Sequence, residues 1–188
     1  QKTEDIDALF SEWQGASTPG LAIKISEGQN TVYKNHFGLA SLAQKIKINE
    51  NTWFQITSVS KQFTAFAIAL LSTQNKINLD DDIRLYLPDM PIYETPISIL
   101  HLVHQTSGLR DMDDLHGMIA TGFSDYSDTD TFYNLISAQK ALNYKPGERY
   151  SYSNSGYMLM AKIVEKVSGL SFREYMHKHV FSPIGMHH

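Results

Sequence analysis

The sequence predicts an α+β chain, with strands near the front and helices through the rest, on three observations. Leu21, Ile23 and Ile25 alternate with Ala22 and Lys24, the period-two mark of a strand with one buried face. Val59, Phe63, Phe66, Ala67, Leu70 and Leu71 recur at helical spacing, as do Tyr157, Met160, Ala161, Val164 and Val167, so two amphipathic helices are expected. The 188 residues are 42% hydrophobic and 11% aromatic, enough for one domain with a real core. Only 19% are charged, which argues against wholesale disorder.

Each element has a local cause. Ile6, Leu9, Phe10 and Trp13 have helical spacing, and the stretch from Gly15 to Gly20 breaks it. Glu27-Gly-Gln-Asn30 turns the chain, so Thr31 to Lys34 reads as the partner strand of a hairpin. Thr52 to Ile56 reads as a short apolar strand feeding straight into the helix that follows Ser58. Asp80-Asp81-Asp82 and the prolines at 88, 91 and 96 belong to loops. Ser98 caps a brief helix through Leu100 and Val103, ended by Ser107-Gly108. The Asp-rich stretch 111–130 has few periodic apolar residues and reads as a surface excursion. Pro146-Gly147 makes a turn, Gly169 closes the helix that begins near Tyr157, and Ser171-x-x-Glu174 is a capping box for a last helix that stops at Pro183. Residues 1–57 thus form an N-terminal helix and sheet strands, and 58–188 a mainly helical region. Two or three strands make a narrow sheet with exposed edges; the chain reads as though partner strands are missing.

Composition excludes several functions. The net charge of −4 with neutral histidines leaves no electrostatic footprint for nucleic acid. No apolar run approaches the roughly 20 residues of a membrane span. With no cysteine there is no disulfide, thiolate metal site or cysteine nucleophile. A start at Gln1 rather than Met suggests a processed or trimmed N-terminus.

Two short elements could carry chemistry. Ser58-Val-Ser-Lys61 is an S-x-x-K element at a helix N-terminus, where positions i and i+3 share a face. A serine hydroxyl is a weak nucleophile until a neighbouring base takes its proton. A lysine does so when burial or nearby positive charge keeps it neutral. Tyr152-Ser-Asn154 also leads a helix. A phenol of lowered pKa relays a proton, and an amide holds a lysine or a substrate carbonyl. Taken singly, each element reads as a helix cap beside packing aromatics and a solvated lysine.

The pair, with its surroundings, reads differently. Phe54-Gln-Ile-Thr-Ser-Val-Ser-Lys-Gln-Phe-Thr-Ala65, His104-Gln-Thr-Ser-Gly-Leu109, Pro146-Gly-Glu-Arg-Tyr-Ser-Tyr-Ser-Asn154 and Pro183-Ile-Gly-Met186 resemble the serine β-lactamase-related family, which includes class C β-lactamases, D,D-peptidases and esterases. The resemblance runs from about Leu9 to the last residue. It implies a β-lactamase/transpeptidase-like fold, a helical region beside an antiparallel sheet flanked by helices, and an enzyme that forms an acyl-serine. It makes Ser58 the nucleophile, Lys61 its proton partner, Tyr152 the general acid/base and Asn154 a contact to substrate and lysine. The Ser58 N–H becomes one half of an oxyanion hole. Either Lys61 or Tyr152 could take the serine proton. The resemblance implies no cofactor or metal, a small-molecule or peptide substrate with a reactive carbonyl (a β-lactam, a D-alanyl peptide or an ester), and a periplasmic or secreted location.

One departure matters. The family carries a third motif, K-[ST]-G or H-x-G, on a late strand beside the nucleophile, supplying the second oxyanion N–H. Only a helix, a capping box and a proline stop follow Asn154. His36-Phe-Gly38 precedes Ser58 in the first hairpin, and Lys145-Pro-Gly147 belongs to the turn before Tyr152. The expectation is therefore the N-terminal portion of a family member whose C-terminal strands are missing, impaired when alone. A non-catalytic penicillin-binding-like sensor module is the alternative. A chain cleaved after His188, its remainder bound as a second piece, is a third reading. His177, His179, His187 and His188 lack metal-ligand spacing, and Asp80-Asp81-Asp82 lacks the glycine and glutamate of a calcium loop.

Overall fold

The computed structural model describes residues 2–119 and 128–186. The chain divides into two compact units, Gln1–Ile56 and Thr57–His188.

The first unit holds helix α1 (Lys2–Leu9) and two two-stranded antiparallel sheets, β1 (Leu21–Glu27) with β2 (Asn30–Phe37) and β3 (Leu39–Ser41) with β4 (Ile46–Lys47). The hairpin predicted at 27–30 is present, with a register shift between Ile25 and Ser26. Asp7 on α1 accepts hydrogen bonds from Tyr33 Oη at 2.5 Å and Asn35 Nδ2 at 2.8 Å. Phe10 stacks on Phe37 with centroids 5.7 Å apart, so α1 is tied to β2. Tyr33, Phe37, Leu39 and Ile48 are buried. The expected buried face of β1 forms only in part: Leu21 and Ile23 are half-buried, while Ile25 is exposed.

Residues 52–56 correct the sequence reading. They are not part of a strand, and Trp53, Phe54 and Ile56 are exposed. Apolar β-formers become a strand only when a neighbouring strand takes their backbone hydrogen bonds; the Thr52 N–H instead turns back to the Asn49 carbonyl at 3.1 Å, and neither sheet among the described residues includes this segment.

The second unit is helical, as the periodicity predicts. α2 (Lys61–Thr73) buries Ala67, Ile68 and Leu71; α3 (Ile99–Val103) buries Ile99 and Leu102; α6 (Asn154–Ser168) buries Leu159, Met160, Ile163 and Val164. These side chains meet in one core with Tyr175 and Met176 of α7 (Phe172–Met176). Ser98 caps α3 by accepting from the His101 N–H, and Ser171 and Glu174 form the expected capping box of α7. Gly169 ends α6 with φ +70°, the left-handed cap that glycine adopts without cost. Val59 and Phe66, expected on the core face of the α2 segment, are exposed. The last helix also differs, since α7 ends at Met176 and a widened π-type turn (His177–Phe181) carries the chain to Pro183.

The stretch 111–130 is exposed over most of its described residues, as a surface excursion should be, but it is helical. It contains α4 (Met112–Ile119) and the start of α5 (Thr129–Ser137); the expectation for 120–127 lies outside the described residues. Three of its aspartates act at helix starts. Asp113 and Asp114 sit in the first turn of α4, where negative charge suits the helix dipole. Asp128 caps α5 by accepting from the Thr131 N–H at 2.8 Å.

Candidate active site

Ser58 lies in a short 3-10 turn, Thr57–Ser60, and Lys61 opens α2 directly behind it. Thr57 holds φ +44°, a region that β-branched residues rarely enter. Backbone strain of this kind persists where the surroundings over-determine it, and it clusters at functional sites. The turn leaves the Ser58 side chain exposed.

Tyr152 sits just before α6, in an extended segment held by Gln105. The Ser151 N–H donates to the Gln105 carbonyl at 2.9 Å, and the Ser153 N–H donates to Gln105 Oε1, also at 2.9 Å. One buried residue thus holds the backbone N–H of the residue on each side of Tyr152. Gln105 itself has φ +60°, a conformation that brings its carbonyl and its side chain to bear on the same segment.

The four residues singled out in the sequence come together. Ser58 Oγ and Tyr152 Oη are 2.5 Å apart. Lys61 Nζ donates to Ser58 Oγ at 3.3 Å and to Asn154 Oδ1 at 2.6 Å. The same amine stands 4.8 Å from the centre of the Tyr152 ring. Lys61 therefore links serine, phenol and amide, and Ser58 has two groups in reach that could receive its proton.

The electrostatics single out Tyr152. Donation from Lys61, then from Ser58, lowers its pKa from the ordinary 10.0, because both stabilise the phenolate. Tyr86, Tyr93, Tyr133, Tyr157 and Tyr175 move the other way, each pushed up chiefly by burial. A depressed phenol releases its proton as pH rises sooner than a free tyrosine does. Ultraviolet titration near 295 nm of the wild type minus Tyr152→Phe should show one phenol ionising below pH 10.0, and Lys61→Met should move it upward. A difference curve centred at or above the ordinary value would contradict the contact.

The sequence reading missed three residues at this site. Gln105 lies inside the His-Gln-Thr-Ser-Gly segment, which in sequence reads as a family signature and a turn. Asp111 Oδ2 accepts from the Asn154 N–H at 2.5 Å, and Asp113 Oδ2 accepts from Asn154 Nδ2 at 2.6 Å. Their one signal was the Asp-x-Asp spacing after Leu109-Arg110, and nothing local says that it faces Asn154. The other candidates have structural roles. Asp82 accepts from the Arg84 N–H at 2.9 Å and Asp81 from Tyr86 Oη at 2.5 Å. His179 packs on Tyr175 with ring centroids 4.8 Å apart, and His177 Nδ1 lies 3.4 Å from Ser182 Oγ. His187 and His188 lie outside the described residues. Ser155 is buried and donates to the Arg110 carbonyl at 2.7 Å.

Residues 6–188 match the family described as Beta-lactamase. The chain belongs to the β-lactamase family. It is 32% identical to penicillin-binding protein 4* of Bacillus subtilis over 98% of its own length and 41% of that protein's, and 31% identical to a D-aminopeptidase of Gluconobacter oxydans over 96% and 33%. The octameric penicillin-binding protein homologue from Pyrococcus abyssi superposes with a TM-score of 0.81 at 31% identity, over 99% of this chain and 43% of that one. The fold is thus β-lactamase/transpeptidase-like. The chain spans between a third and a little over two-fifths of these relatives. Among the described residues, no helix of this family member is long and apolar enough to cross a membrane.

Proposed function

We propose that this β-lactamase-family chain carries the acylating machinery of a serine hydrolase, with Ser58 as nucleophile. The observation that carries this reading is Ser58 Oγ held 2.5 Å from Tyr152 Oη and 3.3 Å from Lys61 Nζ. Ser58 Oγ attacks a carbonyl carbon, and its proton passes to Tyr152 as phenolate or to Lys61. The tetrahedral intermediate collapses, breaking the bond to the leaving group, which takes that proton from the group that received it. Water then attacks the acyl-serine, gives a proton to the same base, and the freed Ser58 oxygen takes one back. Asn154 keeps Lys61 in place and offers its amide to the substrate. The Ser58 N–H, in the turn that leads into α2, donates to the developing oxyanion.

The substrate is a small molecule or peptide with a reactive carbonyl. The names of the relatives support a β-lactam or a peptide containing a D-amino acid, and the resemblance adds esters. Export to the periplasm or beyond the cell goes with this reading. The third motif of the resemblance does not occur after Tyr152 in this sequence. Loss of one oxyanion donor typically costs about 10²–10³ in rate, so the 188 residues by themselves should acylate slowly.

A time course of intact mass after mixing with a β-lactam or an activated ester tests the reading. An adduct that forms and then clears is the expected result. An adduct that persists favours the alternative of a ligand-binding sensor, and none with any acyl donor contradicts acyl transfer.

A further inference from the structure

We propose that Asp113 is a positioning residue that sets which end of the Asn154 amide faces Lys61; the inference rests on the acyl-transfer reading. A primary amide presents an acceptor at one end and two donors at the other, in nearly the same shape. Both orientations fit the same space, so something must choose between them. Asn154 Nδ2 donates to Asp113 Oδ2 at 2.6 Å while Oδ1 accepts from Lys61 Nζ at 2.6 Å. A carboxylate only accepts. Rotating the amide by half a turn would set oxygen against oxygen at Asp113 and turn the amide N–H groups toward the Lys61 amine, losing both hydrogen bonds.

Asp111 builds the frame in which this choice is made. One of its oxygens accepts from the Asn154 N–H at 2.5 Å and the other from the Asp113 N–H at 2.9 Å. The backbones of both partners are thereby tied to one side chain, and the Asp113 carboxylate is held against the amide of α6. The consequence is carried along a chain of contacts. With Oδ1 turned toward it, Lys61 is held at Asn154 and still reaches Ser58 Oγ at 3.3 Å. Without Asp113 the amide samples both orientations, and Lys61 loses its fixed partner for part of the time. Asp113 is itself exposed, so its removal leaves no cavity in the core.

Two readouts on the 188-residue chain test this. The first is the Asn154 side-chain NH₂ pair in a ¹⁵N–¹H spectrum, assigned by its disappearance in Asn154→Asp. In Asp113→Ala this pair should shift toward free-amide positions and exchange faster with water, whereas Asp113→Asn, which keeps an acceptor oxygen, should retain most of the protection. The second is the rate at which a fluorophosphonate labels Ser58, measured in a double-mutant cycle. Asp113→Ala should slow labelling by about tenfold in the wild-type background, as expected for a misplaced catalytic group. In the Asn154→Asp background it should cause no further slowing, because a carboxylate at 154 has no wrong end. An unmoved NH₂ pair in Asp113→Ala, or equal slowing in both backgrounds, would overturn the proposal. If wild-type Ser58 takes no label, the acyl-transfer reading fails and the amide spectrum alone decides the role of Asp113.

Discussion

Lys61→Met should reduce the rate of Ser58 labelling by about 10³-fold, within the 10²–10⁴ that a positioned acid/base group contributes. Methionine keeps an unbranched apolar stem and loses every donor, so the expected change is chemical rather than a repacking of α2. Three contacts disappear together: the donation to Ser58, the donation to Asn154 and the support of the Tyr152 phenolate. Tyr152→Phe removes the other group beside Ser58 and should cost a comparable factor. Because the two act on the same proton, the double variant should lose little beyond the worse single one. Labelling rates in the four proteins, with circular dichroism to show that each is folded, check this. Multiplicative losses would mean that Lys61 and Tyr152 act independently, and a loss below threefold in Lys61→Met would remove it from the reaction.

Gly108→Ala should be the most damaging small substitution in the second unit. Gly108 has φ +75°, and an added Cβ would run into the Tyr144 carbonyl oxygen. A backbone atom cannot rotate away as the end of a side chain can. The affected loop is stitched to the segment that carries Tyr152: Asn143 N–H donates to the Gly108 carbonyl at 2.8 Å, Gly147 N–H to that of Thr106 at 2.9 Å, and Ser151 N–H to that of Gln105 at 2.9 Å. Conformational strain and overpacking together should cost about 3 kcal/mol, which for a chain of this size lowers Tm by roughly 10 °C. Gly117→Ala is the matched control. It lies within α4 with nothing near its Cβ position, and alanine there should be neutral or stabilising by up to about 1 kcal/mol. Thermal unfolding of the two variants distinguishes a loss specific to the loop from a general intolerance of alanine.

The pattern of what was legible follows from the range of each interaction. Ser58 and Lys61 share a turn and a helix start, and Tyr152 and Asn154 flank another, so short motifs were enough to pick them out. Helices α2, α3 and α6 announced themselves through spacing and caps that depend on neighbours a few residues away. Partnerships across the chain were not legible. Gln105 reaches Ser153, and Asp113 reaches Asn154, through contacts that no local rule encodes. The same limit explains Thr52 to Ile56, whose apolar residues resemble a strand but join no sheet among the described residues. It also explains the aspartates of 111–130, where the side chains that favour turns equally favour the first residues of a helix.

The most direct measurement of the central claim is the mass and location of the adduct after treatment with a fluorophosphonate, for wild type and Ser58→Ala. The expected result is a single addition on the peptide containing Ser58, absent from Ser58→Ala. Labelling that survives Ser58→Ala, or that maps to another residue, would contradict an activated nucleophile in the turn before α2.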